Sequence, residues 1–305
     1  MKDFVLNLLR GALMGAANVV PGVSGGTMAL LTGIFEKLVN AIKAFDAEAI
    51  RLFLRFRFKE LFRHIDLPFL AAVGSGVLIS ILSLARLLEY LFDRHELYVW
   101  SFFFGLILAS IYFVGNKIKK FDAPVIVLFL FGTAIAAALA FAKPATENAS
   151  LPYLLACGAI AMCSMILPGL SGSFVLLLMG NYELVMVRSI AEPDLKILIP
   201  FAVGGVLGLA AFARLLSVIF RKFPDRTLAL LTGFIAGSLA VIWPWKEPSS
   251  IRTIVHGDRV KEIVEGYAYR LPDLSAENLV ALALLLAGIL ALACVELLAV
   301  KKKAD

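Results

Sequence analysis

Apolar residues fill the chain in long blocks. Six of them reach the roughly 20 residues that a helix needs to cross a bilayer: 67–91, 97–115, 123–142, 198–220, 227–244 and 278–300. Two further apolar regions, 4–43 and 152–188, differ in kind. Each is cut in the middle, one by Pro21-Gly22-Val23-Ser24-Gly25-Gly26 and the other by Pro168-Gly169-Leu170-Ser171-Gly172-Ser173. Pro and Gly break helices. The arms beside each cut hold about 16 residues, so each is roughly 24 Å long. That is short for a crossing and predicts a re-entrant helical hairpin. A short full hairpin gives the same topology at greater depth.

Composition narrows the class. Of 305 residues, 61% are hydrophobic and 17% charged, with a mean hydropathy of +0.90. A soluble domain carries about 25% charged residues, so a soluble enzyme, a disordered chain and an ordinary nucleic-acid binder are excluded. The net charge of +6 is then read as a topology signal, because Lys and Arg collect on the cytoplasmic side. Cys157, Cys163 and Cys294 lie in apolar runs without metal-ligand spacing and read as small hydrophobes. The N-terminal apolar stretch runs into the first break without a cleavage pattern, so it reads as part of the fold rather than as a signal peptide.

The cations set the expected orientation. Lys2 and Arg10 precede the first broken region, and Lys43, Arg51, Arg55, Arg57, Lys59 and Arg63 follow it. Lys117, Lys119 and Lys120 follow the second span; Arg221, Lys222 and Arg226 follow the fourth; Lys301–Lys303 close the chain. With all of these inside, both termini are cytoplasmic and the second broken region opens outside. Segment 44–66 mixes five phenylalanines and leucines with arginines and lysines; it reads either as an interfacial segment or as a solvated connector. The loop 245–277 has no catalytic pattern and reads as an exposed extracytoplasmic cap.

The two broken regions align at an offset of 147 positions. Pro21, Gly22, Ser24, Gly25, Leu30, Leu31, Gly33 and Glu36 meet Pro168, Gly169, Ser171, Gly172, Leu177, Leu178, Gly180 and Glu183. Ala71-Ala72-Val73-Gly74 resembles Phe201-Ala202-Val203-Gly204, and Ala85-Arg86-Leu87-Leu88 is identical to Ala213-Arg214-Leu215-Leu216. Three spans separate the breaks, so the halves enter the membrane in opposite directions. The expected fold is an all-α polytopic membrane protein with an inverted-topology repeat, residues 1–142 and 143–305. Each half has one broken re-entrant hairpin followed by three transmembrane helices. That is an architecture of secondary transporters, with the substrate site at the breaks.

The breaks carry the candidate chemistry. The helix after each cut starts with amide N–H groups that lack intrahelical partners, at the positive end of the helix dipole. Glycines let an anion approach, and hydroxyls add donors. Ser24, Gly25, Gly26 and Thr27, with Ser171, Gly172 and Ser173, form two such cradles beside the helix breakers Pro21, Gly22, Pro168 and Gly169. An anion site, a cation site on freed carbonyls and simple close packing all fit these residue types. The repeat mates Arg86 and Arg214 lie inside spans, where a charge marks function by default, although both are near enough to a span end to snorkel. Glu36 and Glu183 are also mates. They could pair with the arginines, carry a coupling proton or cap the membrane edge. Asn18 precedes the first break as a gating candidate or a plain buried hydrogen bond.

The run Met14-Gly15-Ala16-Ala17-Asn18-Val19-Val20-Pro21-Gly22-Val23-Ser24-Gly25-Gly26-Thr27-Met28-Ala29, with Gly33-Ile34-Phe35-Glu36 and Leu167-Pro168-Gly169-Leu170-Ser171-Gly172-Ser173, resembles the bacterial polyprenyl-phosphate transporter family over essentially the whole chain. The resemblance implies a transporter of the inner membrane, not an enzyme. It implies return of undecaprenyl phosphate to the cytoplasmic face, with the motif residues of both breaks as its site. Phe174 stands where Thr27 stands in the first half, so the two cradles are not equivalent. No cofactor, metal ligand or catalytic residue is expected; proton or sodium coupling is a further expectation. A small-anion channel shares the cradles but needs a polar path that the spans scarcely supply. A lipid phosphatase needs clustered acid–base groups, and His64, His95 and His256 are far apart.

Overall fold

A computed structural model describes residues 2–19, 25–189, 192–256, 259–273 and 275–304. The first broken region begins with α1 (Lys2–Val19). After the break come two short helices, α2 (Gly25–Leu31) and α3 (Phe35–Lys43). The second region repeats this plan with α8 (Leu151–Ile166), α9 (Gly172–Leu178) and a π-helical turn, Glu183–Arg188. The seven-residue helices start and end at positions 147 apart. Each is followed by a glycine in the left-handed region, Gly33 at φ 73° and Gly180 at φ 72°. The return arm is thus broken a second time in both halves, which the hydropathy alone did not indicate.

Between the two regions lie α4 (Ala47–Leu54), α5 (Phe58–His64), α6 (Leu67–Gly115) and α7 (Ala123–Ala140). After them come α10 (Leu195–Lys222), α11 (Pro224–Ser238) and α12 (Ala276–Ala304). At 1.5 Å per residue, the 49 residues of α6 would extend about 74 Å. A hydrocarbon core is about 30 Å thick, so the element must bend. It does so at His95, whose backbone (φ −142°, ψ 41°) is not helical. The expected spans 67–91 and 97–115 are its two limbs.

Five helices among the described residues are long and apolar enough to cross a membrane: Leu67–Leu84, Tyr90–Gly115, Ala123–Ala140, Leu195–Lys222 and Ala276–Cys294. The expected span 227–244 is helical only to Ser238. Its residues are mostly buried, and Thr227, Thr232 and Ser238 turn their hydroxyls onto backbone carbonyls of their own helix. It is therefore shorter than the expected span and largely covered by its neighbours. The loop 245–277 contains a β-hairpin, β1 (Lys246–His256) paired antiparallel with β2 (Arg259–Tyr269), in register Lys246↔Tyr269 and Val255↔Val260. The all-α expectation fails at this point. Ile251, Thr253, Ile254, Val255, Val260, Ile263 and Val264 are β-branched and favour strands.

Glycines set the helix packing, and they do so twice. A Cβ on Gly11 would overlap the backbone of Val73, and one on Gly76 that of Leu8. In the second half Gly158 stands against Phe201 and Gly204 against Leu155 in the same way. The α1–α6 and α8–α10 pairs are therefore built alike, at offsets of 147 and 128. The counterpart of Gly204 is Gly76 rather than Gly74. Farther along, Gly105 meets Leu285 and Gly288 meets Phe102, joining α6 to α12; Gly233 meets Phe129 and Gly132 meets Leu230, joining α11 to α7. Each half thus packs its last helix on the other half. Small residues allow such close approach where no hydrophobic force between helices exists.

Gly158→Val should force α8 from α10 at an overpacking cost of about 1–3 kcal/mol and lower the thermal unfolding midpoint in detergent. A Cβ on Gly74 meets nothing within 4 Å, so Gly74→Ala should raise that midpoint slightly, by the roughly 0.5–1 kcal/mol that Gly costs inside a helix.

Candidate functional site

The short helix α2 is buried along its whole length, so both of its ends need partners inside the protein. At its start the Gly25 N–H donates to the Asn18 side-chain oxygen at 2.8 Å. At its end the Lys117 ammonium donates to the carbonyls of Leu30 and Leu31, at 2.9 and 3.1 Å. A cation at a helix C-terminus also complements the dipole. Asn18 is therefore a cap, and Lys117, expected only as a topology charge, reaches the core of the first break. Nothing beyond its place after the second span signals that role.

Thr27 is fully buried, and its Oγ1 accepts a hydrogen bond from the Gly169 N–H at 3.1 Å. This single bond brings the two breaks, 142 positions apart in the chain, into direct contact. Gly169 sits at φ +80° with the Phe234 carbonyl beside it, so a side chain there would be both strained and obstructed. Gly25, Gly26 and Thr27 all lie in the core. Ser24, Pro21 and Gly22 lie outside the described residues.

The second break is more open. Ser171 precedes α9 without capping it. Its hydroxyl lies 2.8 Å from that of Ser173 instead, with Ser171 half-buried and Ser173 exposed. The place that Asn18 holds against Gly25 is held against Gly172 by the apolar Met165. The far end of α9 is closed by the Ala145 N–H donating to the Leu178 carbonyl at 2.8 Å. The fully buried Asn181 supports that closure by exchanging two hydrogen bonds with Asn148, at 2.9 and 2.8 Å.

The charged candidates stand apart from these bonds. Arg214 is exposed on α10, and among the described residues no ion pair joins it to Glu36 or Glu183. Arg86 lies on α6, with its side chain outside the described set. Glu36 is exposed in the first turn of α3, and Glu183 is half-buried at the start of the π-helical turn. Both follow the left-handed glycines, where an acidic residue complements a helix N-terminus. One turn beyond Arg214, Ser217 donates to the Asn40 side chain at 2.8 Å, fastening α10 to α3.

A cavity of about 300 Å³ at the base of the β-hairpin is lined by Glu96, Trp245, Lys246, Arg270, Asp273 and Asn278, among others, and by no residue of either break. The Lys246 ammonium there lies 4.1 Å from the Trp100 ring centre and 4.6 Å from that of Tyr267. Burial lowers its pKa to about 8, against the opposing pull of Glu96. Its charged form is thus disfavoured by folding, and its contribution to stability improves as pH rises above about 8. Among the described residues no group of His, Cys, Asp and Glu could hold a metal ion.

A sequence profile described as undecaprenyl phosphate translocase-like matches residues 14–260. The chain belongs to that family. It is 39% identical over 258 residues to the polyprenyl-phosphate transporter of Vibrio cholerae serotype O1, covering 85% of this chain and 83% of that protein. It is 31% identical over 258 residues to the polyprenyl-phosphate transporter of Staphylococcus aureus, covering 78% and 86%. No solved structure matches it. The matched range includes both breaks.

Thr27→Val should leave the Gly169 N–H buried without an acceptor and destabilise the protein by about 1–3 kcal/mol. Thr27→Ser should restore most of that loss. Thermal unfolding of the two variants in one detergent separates the hydroxyl from the methyl group.

Proposed function

We infer that this chain carries polyprenyl phosphate between the leaflets of the bacterial inner membrane, with the two breaks as its headgroup path. The family and the two related polyprenyl-phosphate transporters support the substrate; the second break supports the place. The observation that carries the reading is the pair of neighbouring hydroxyls, Ser171 and Ser173, 2.8 Å apart at the uncapped start of α9, in a break that meets the first through the Gly169–Thr27 bond. Moving a phosphate through hydrocarbon is prohibitive unless its hydration is replaced by hydrogen bonds. The apolar tail needs no path, because it stays in lipid throughout.

In this state the headgroup is received by Ser171, Gly172 and Ser173, and Arg214 supplies a cation that can bond a phosphate in bidentate fashion. In the opposite state the first break, with Gly25, Gly26 and Thr27, takes the corresponding part. The halves form an inverted repeat with re-entrant hairpins, and rocking one against the other exposes each break in turn. The matching backbone turns at 33 and 180 and the matching glycine contacts support that arrangement. Glu36 and Glu183, at equivalent positions, are the groups to which proton or sodium coupling is assigned.

In reconstituted vesicles the protein should move labelled polyprenyl phosphate and leave the corresponding alcohol unmoved. The double variant Ser171→Ala, Ser173→Ala should slow that transport at least tenfold while folding normally. Equal handling of phosphate and alcohol would refute headgroup recognition, and uptake of inorganic phosphate would favour the small-anion reading.

The orientation places both termini and Lys117–Lys120 in the cytoplasm. A cysteine introduced at Arg270 should react with an impermeant maleimide in intact cells, and one at Lys119 only after permeabilisation. The reverse pattern would overturn this sidedness.

A further inference from the structure

We propose that α4 and α5 form a rigid elbow that lies in the headgroup region of the leaflet where α6 begins, and that it binds the phosphate-bearing heads of anionic lipids. The two helices have eight and seven residues, about 12 and about 10 Å long, too short to enter the bilayer as spans. α4 buries only Ala49 and Leu52, and α5 buries none of its residues. Outward stand Phe45, Ile50, Phe53, Leu54, Phe56, Phe58 and Phe62, with Leu54 and Phe56 at 69% and 78% exposure. The rings gather on one another: Phe58 lies 6.0 Å from Phe53, 6.0 Å from Phe56 and 6.3 Å from Phe62. An apolar patch of this kind bordered by charges is a docking surface.

The border identifies the occupant. Five cations, Arg51, Arg55, Arg57, Lys59 and Arg63, are interleaved with the rings. Arg51 pairs with Glu48 and Arg57 with Glu60, whereas Arg55, Lys59 and Arg63 enter no ion pair among the described residues. Aromatic and leucine side chains next to unspent Lys and Arg match an anionic membrane surface. The elbow is also continuous with the bilayer, since α5 ends at His64 and the first spanning limb starts at Leu67.

The angle is held deliberately. Phe56 (φ 55°) and Asp66 (φ 50°) both occupy the left-handed region without being glycine, which is costly for an L side chain. Asp46 fastens the elbow by accepting from the N–H groups of Glu48 and Ala49, at 3.0 and 3.1 Å, and by bonding the His64 ring at 3.1 Å. Lys37 holds Asp66 at 3.0 Å. A loose connector needs no such fastening. The patch also enriches anionic lipid, the class of the substrate itself, beside the first half; that last step rests on the transport reading.

The test uses full-length protein with its three cysteines replaced by alanine, spin-labelled at Phe53→Cys or Phe56→Cys. It is reconstituted in phosphatidylcholine vesicles with or without phosphatidylglycerol. Both labels should be more accessible to oxygen than to a water-soluble nickel complex, and should sit deeper when phosphatidylglycerol is present. The triple variant Arg55→Gln, Lys59→Gln, Arg63→Gln should abolish the lipid dependence and keep the membrane contact. Nickel-accessible labels in both mixtures would overturn the proposal. So would equal depth in the two mixtures, or labels shielded from both reagents, which would put a protein neighbour on this face. The labels report depth without any transport, so failure of the elbow and failure of the transport reading are told apart. If the triple variant moves dilute polyprenyl phosphate as fast as the parent, the enrichment step alone is overturned.

Discussion

A broken helix inside a membrane protein must find partners for its backbone within the protein, because hydrocarbon offers none. This constraint organises the fold. The Asn18 oxygen meets the first amide of α2, the Lys117 ammonium meets its last carbonyls, and the Thr27 hydroxyl meets the amide of Gly169 on the opposite break. Each partner comes from a different element: α1, the turn after α6, and α2. The helices are arranged as they are largely so that these ends can be met. Glycine makes the arrangement sterically possible, at Gly11 and Gly76 in one half and at Gly158 and Gly204 in the other.

The same constraint is met unequally in the two halves. α2 is capped at both ends and sealed in the core, while α9 begins with two hydroxyls that bond each other. Asn18 against Met165, and Thr27 against Phe174, are the substitutions that make the difference. The two breaks are therefore not equivalent: the first is closed by side chains from other elements, and the second starts with a pair of hydroxyls at its more exposed edge.

Much of this was legible in the residues, and the rest was not for identifiable reasons. The two Pro/Gly cuts and their eight matched positions marked where both regions break, because backbone breakers act locally, but the arms of about 16 residues expected beside them gave no sign of the second break that leaves seven-residue helices. Hydropathy located the five long spans for the same reason. It carried 227–244 past the helix end at Ser238, and it could not tell that this helix is largely covered by its neighbours, since buried and lipid-facing helices are equally apolar and burial is tertiary. The hairpin at 246–269 was readable in its β-branched residues but was masked by the polarity of the loop. At the breaks, residue types drew attention to Asn18 and Thr27; the plain buried hydrogen bond read for Asn18 is the one it makes, whereas the task of Thr27 was not legible. A hydroxyl that binds an anion and one that binds a distant amide look identical in one dimension. Lys117 was invisible as a partner of α2, because nothing local connects positions 30 and 117.

The glycine contacts that join α6 to α12 and α11 to α7 carry one more meaning. Each half lends its final helix to the other, so the boundary near residue 142 divides the sequence but not the solid object. Severed there, either fragment would present a groove shaped for a backbone it does not own.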